Sequence, residues 1–221
     1  MELQPDLWEI VLSVGAPLLL AIVELFHPYP HDLLKLDVQT WLYVHYAQVL
    51  LFPLSALAVA TLVRRQTGIA AMLCRTAMSV FGVAYLVFDT AAGIVTGILV
   101  KAANLSANPD AWQAAINAVW AHPIVGGSPN GPAPLLAILG SVALSIGTVA
   151  AAVSLKRSGS SWVPVLLLAL AGFGISIFKT HAWPGGPVTF GGIAVASAWL
   201  LWERTTRARR AAFAGAISDE K

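Results

Sequence analysis

Apolar and polar positions in this chain do not alternate at a period of two; they fall into blocks, with long apolar runs divided by short stretches that hold nearly all the charge. A helix needs about 20 residues to cross a hydrocarbon core of ~30 Å. Six blocks reach or approach that length: residues 7–26, 41–63, 76–100, 134–155, 162–179 and 188–202. Each has a stop signal. His27-Pro28 ends the first, because the residue before a proline is pushed out of the α region, while Arg64-Arg65, Lys156-Arg157 and Glu203-Arg204 end the second, fourth and sixth. The third block belongs to a longer run, residues 68–101, whose first turns up to Arg75 lie in the headgroup zone unless the helix tilts strongly. No block shows the dyad pattern of a lipid-facing barrel strand. The pattern predicts an all-α integral membrane protein, a bundle of six transmembrane helices forming one domain over residues 1–203.

The outer loop between the third and fourth spans carries a helix signal of its own. Asn108-Pro109-Asp110 supplies a cap, a first-turn proline and a carboxylate suited to the helix dipole, and Trp112, Ile116, Val119 and Trp120 then share one face. This predicts a short interfacial helix with its tryptophans at headgroup level. Residues 204–221 read as a basic cytoplasmic tail, partly disordered.

Composition agrees with the blocks. The chain is 57% hydrophobic and 11% charged over 221 residues, outside the range of soluble globular domains. Its partner is the lipid bilayer, and a net charge of +2 gives no footprint for nucleic acid. The single Cys74 can form no intrachain disulfide. Glu2, Asp6 and Glu9 stand where a signal peptide would be basic, so the first block is expected to be a retained span. Arg64, Arg65, Lys156, Arg157, Arg204, Arg207, Arg209 and Arg210 share one side if both termini are cytoplasmic, leaving Lys35, Lys101 and Lys179 on the other. By the positive-inside rule this predicts a multi-pass protein of the plasma (inner) membrane.

That orientation gathers all five histidines, His27, His31, His45, His122 and His181, on the outer side, together with Glu24 and Asp32. Glu24, His27 and His31 have helical spacing for one face, but Pro28 and Pro30 interrupt it, and alone the three read as a span terminator with interfacial polar groups. His45, Gln48 and Ser55 form a polar stripe inside the second span, where such groups face the protein interior. Asp89 is the costliest residue at mid-membrane, with Tyr85 one turn back, and needs a partner from another span; His45 and Gln48 are the first candidates. His181 lies in the Pro/Gly turn joining the last two spans, and His122 precedes a proline in the long loop. Gly93-x-x-x-Gly97 and the stripe Ala137, Ser141, Ser145, Thr148, Ala152 let helices approach closely.

These groups predict an outward-facing cavity lined by Glu24, His45, Gln48, Tyr85, Asp89 and His181. Imidazoles suit zinc, copper or haem iron, so the metal-ligand candidates are His45, His181, His27, His31 and His122. Glu24 and Asp89 are the candidate acid–base groups, and Gln48 and Tyr85 the candidate cofactor contacts. In the order of His45, Asp89 and His181 the chain resembles the seven-span zinc hydrolases of the ceramidase and progestin-receptor type. It departs from them in having six spans and Gly185 four residues after His181, where a second histidine would stand, so no role is carried over. The leading expectation is a metal- or haem-binding cavity acting on a lipid or quinone-like substrate. The alternatives are a non-catalytic subunit that docks on a partner membrane protein, and a proton-coupled carrier using Asp89.

Overall fold

The structure, a computed structural model, describes residues 6–29, 32–128 and 133–219. All regular structure among these residues is helical. Five helices are long and apolar enough to cross a membrane: α1 (Leu7–Leu25), α2 (Val38–Leu62), α3 (Ile69–Asn104), α5 (Leu135–Arg157) and α7, whose apolar part lies within Gly185–Arg210. Between them stand a short helix, α4 (Gln113–Trp120), and an apolar one shorter than the five, α6 (Trp162–Phe178). In space α1, α2, α3, α5, α6 and α7 each pack on the next, and α7 closes back on α1. The result is a ring of six helices around a core in which Leu20, Phe52, Phe81, Leu168 and Phe190 have no exposed surface. Leu18, Leu19, Leu50, Leu54, Leu57 and Val83 point outward, as lipid-facing side chains do.

Three segments differ from the sequence expectation. The third helix runs unbroken for 36 residues, which is ~54 Å at 1.5 Å per residue, so it overhangs the hydrocarbon core. The overhang has a use: Ile116 of α4 is wholly buried against Val100 and Ala103 of α3, with Trp112 and Trp120 packed beside it. The apolar face of α4 is thus taken up by protein. The last helix, α7, continues through the basic segment to Asp219.

The fifth expected span, α6, is broken. Its helical bonds stop at Ala171 and restart at Gly174. The freed Gly172 carbonyl accepts Ser145 Oγ at 2.8 Å, and the freed Ile175 amide donates to Thr189 Oγ1 at 3.0 Å. Small residues allow this approach: a Cβ on Gly172 would lie 2.0 Å from Thr148 Oγ1. On its other side the same α5 stripe meets α3, where Ser141 Oγ is 2.9 Å from Tyr85 Oη and a Cβ on Gly140 would overlap the Tyr85 ring at 2.4 Å.

The two ends of the bundle differ in chemistry. At one end Glu9, 1% exposed, is held by Arg64 at 2.8 Å and by Arg204 at 3.0 Å. This contact ties the start of α1 to the far part of α7. Asp6, which caps α1 through the Glu9 amide, also meets Arg64 at 3.4 Å. The histidines lie at the opposite end.

Candidate metal centre

Four segments deliver the site. The first is the end of α1, whose last turn carries Glu24 and, three residues on, His27. Pro28 stops the helix there, and the His27 amide still reaches the Glu24 carbonyl at 3.4 Å. The second is the start of α2. Asp37 caps it by accepting the Gln39 and Thr40 amides, each at 3.2 Å, which fixes the helix that presents Trp41, His45 and Gln48 on one face.

The third segment is the middle of α3, where the hydrogen bonds widen to π-helical spacing over Asp89–Val95. Such turns are frequent at functional sites because they shift a side chain off the regular helical face. Here Asp89 opens the widened stretch, and the Gly93 carbonyl within it accepts Trp41 Nε1 at 2.7 Å. The fourth segment is the turn between α6 and α7. Lys179 adopts φ 56°, the Trp183–Pro184 bond is cis, and the turn points His181 back into the bundle. Gly186 closes it, since a Cβ there would sit 1.8 Å from the His181 carbonyl and 2.7 Å from Glu24 Cγ.

The side chains converge. His27 rings stand 4.9 Å from both the His45 and the His181 rings, centroid to centroid. One ligand atom each from Glu24, His27 and His181 lies within 4.8 Å of the other two. Asp89 Oδ1 sits between two imidazoles, 3.8 Å from His45 Nε2 and 3.9 Å from His181 Nε2. Glu24 Oε1 accepts Gln48 Nε2 at 2.8 Å, which leaves Oε2 for another partner.

The histidine tautomers follow from their backbone contacts. His27 Nδ1 lies 2.8 Å from the Pro28 carbonyl and His45 Nδ1 lies 2.7 Å from the Trp41 carbonyl. A carbonyl only accepts, so each Nδ1 carries the proton and each neutral ring presents the Nε2 lone pair to the site. Burial holds His27 neutral, with its pKa lowered to about 4, and also lowers that of His181 well below the usual histidine range, reinforced by the neighbouring His27 and His45.

What the cluster lacks is partners. Glu24 Oε2, His27 Nε2, His181 Nε2 and both Asp89 oxygens are buried with no hydrogen-bond partner among the described residues. Each unpartnered buried polar atom costs on the order of 1–3 kcal/mol, so carboxylate oxygens and imidazole nitrogens gathered in this way ask for a bound partner, and a cation suits them. His27, Asp89 and His181 border a cavity of about 80 Å³ lined also by Trp41, Phe88, Trp120 and Gly127.

The remaining candidates are placed as follows. Tyr85 is a wall: its hydroxyl is engaged with Ser141 and its ring lies 6.1 Å from that of His181. Gln48 holds Glu24 instead of reaching Asp89. His122 stands apart, exposed, with Nδ1 accepting the Ile124 amide at 3.2 Å, which is turn chemistry. His31 lies outside the described residues. Trp41 has no role in the sequence reading, and Gly93 enters it only through the Gly93-x-x-x-Gly97 pair that lets helices approach. The aromatic at the head of the His45 stripe is the one signal for Trp41.

Comparison with protein-family models, curated proteins and solved structures finds no match for this chain. The reading of the site therefore rests on its geometry.

Proposed function

We propose that the protein binds one divalent transition-metal ion through Glu24, His27 and His181 and uses it on a lipid-soluble substrate. The observation that carries this reading is the convergence of buried carboxylate and imidazole atoms that have no hydrogen-bond partner among the described residues. Two imidazoles and one carboxylate form a ligand set that catalytic zinc uses, leaving a position open, and the same set suits non-haem iron. The backbone bond that fixes the His27 tautomer, and the Gln48 bond to Glu24, are the outer contacts that orient such ligands. A cavity of about 80 Å³ takes an ion and one polar group of a substrate, whereas a haem macrocycle needs far more room.

A bound divalent ion supplies Lewis acidity. Asp89 contributes two acceptor oxygens for a proton, and His45, anchored on the Trp41 carbonyl, receives or returns it. Trp41, Phe88 and Trp120 keep the entrance apolar. The carrier alternative finds less support, because Phe52, Phe81 and Phe190 fill the core beneath the site.

In this reading the bundle crosses the membrane six times with α6 as the short span, and α4 lies over the outer face. The Glu9–Arg64–Arg204 end is cytoplasmic by the positive-inside rule. Elemental analysis of the protein purified in detergent tests the proposal. One zinc or iron per chain, lost in His27→Ala and His181→Ala but kept in His122→Ala, is expected; substoichiometric metal after incubation with each ion would end it.

A further inference from the structure

A second cavity lies far from the histidines, on the outer wall of the bundle where α3, α5 and α6 meet. It has a volume of about 750 Å³. Leu73 of α3, Val142, Ile146, Val149 and Val153 of α5, and Phe173 at the break of α6 form its walls. The break accounts for the opening: α6 packs on α5 and α7, and its short interrupted course leaves α3 and α5 uncovered along this side. Lengthwise the groove runs along α5 from Val142 to Arg157, fifteen residues or ~22 Å, deeper than one leaflet of a ~30 Å core.

Among the described residues only one charged side chain borders the groove, Arg157. Arg157 is exposed and no described residue accepts from it, although the other cations packed at this end of the bundle are engaged. Arg64 and Arg204 hold Glu9, Arg75 donates to the Val63 and Gln66 carbonyls, Lys156 donates to the Ser160 carbonyl, and Arg207 to that of Gly159. A lone guanidinium above an apolar trough complements a molecule with an anionic head and a hydrocarbon tail.

We infer that this groove is a binding site for an anionic glycerophospholipid of the leaflet at the arginine-bearing end, with its phosphate on Arg157 and one acyl chain between α3, α5 and α6. The inference is independent of the metal centre. The lipid fills the side left open by the α6 break and holds that helix against α5.

The test is native mass spectrometry of the delipidated full-length protein in detergent, titrated with phosphatidylglycerol and with phosphatidylcholine of equal chain length. Phosphatidylglycerol is expected to bind one per chain and about fivefold more tightly. Arg157→Gln should remove the preference, Arg209→Gln should keep it, and Val149→Trp, which fills a lipid-facing trough, should weaken both lipids. Equal binding of the two lipids by the wild type would overturn the inference. So would a preference that survives Arg157→Gln, competition by inorganic phosphate alone, or a dimer that buries the groove.

Discussion

Gly93 and His45 are in contact across the α2–α3 interface so tightly that a Cβ on residue 93 would fall 1.7 Å from His45 Cδ2. Glycine is needed here for space, since its φ does not lie in the left-handed region. Alanine would gain up to about 1 kcal/mol of helix propensity, but the overlap forces His45 or the helices to move, at about 1–3 kcal/mol. Gly93→Ala is therefore expected to lower the unfolding temperature in detergent and to disturb the site. Gly191→Ala, whose Cβ would meet nothing closer than Ala21 Cβ at 4.0 Å, is expected to be neutral.

Gln48 positions Glu24, and its removal separates positioning from ligation. Gln48→Leu keeps side-chain volume but deletes the donor to Glu24 Oε1. Metal affinity should fall about 10–100-fold while the metal stays one per chain, as found when groups behind a ligand are lost. Calorimetric titration of the metal-free protein reads this. An unchanged affinity would show that Glu24 is fixed by other contacts.

At the far end, Glu9→Gln should destabilise the bundle by about 3 kcal/mol, because it removes the buried charge that Arg64 and Arg204 share, and Arg204→Met should cost less, because Arg64 still holds Glu9. The metal content per folded chain should not change. A drop in metal with stability intact would mean that the two ends are coupled.

The cap of α2 gives a pH dependence. Hydrogen bonds from the Thr40 hydroxyl and amide hold the Asp37 carboxyl below the usual aspartate range. The folded state therefore binds this proton less readily than the unfolded chain. The stabilisation is complete above the unfolded value near pH 3.8 and is lost as pH falls through the lower folded value. Asp37→Asn should flatten that part of the acid unfolding curve and leave its slope above pH 5 unchanged.

Much of this was legible in the sequence. Apolar blocks of about 20 residues and the one-sided arginines mark helical segments and their ends, because crossing a bilayer constrains length and charge directly. Asp89 demanded a partner, and His45 is beside it. The rest depended on backbone detail that composition does not carry. Two prolines argued against His27, yet Pro28 is what ends α1 in time for His27 to turn inward beside Glu24. Nothing in residues 89–95 announces a π-helical turn, so the placement of Asp89 and the Trp41–Gly93 bond had no sequence signal. The tryptophan-bearing face of α4 looked lipid-facing because the overhang of α3, which covers it, shows only in three dimensions.

The central claim is that Glu24, His27 and His181 hold one metal ion. Cobalt(II) titration of the metal-free protein tests it most directly, because the ligand-field absorption of cobalt reports both stoichiometry and a low-coordinate environment. A band that saturates at one cobalt per chain is predicted, absent in Glu24→Gln, His27→Ala and His181→Ala and retained in His122→Ala. No saturable band, or the same band in the wild type and the three variants, would contradict the account.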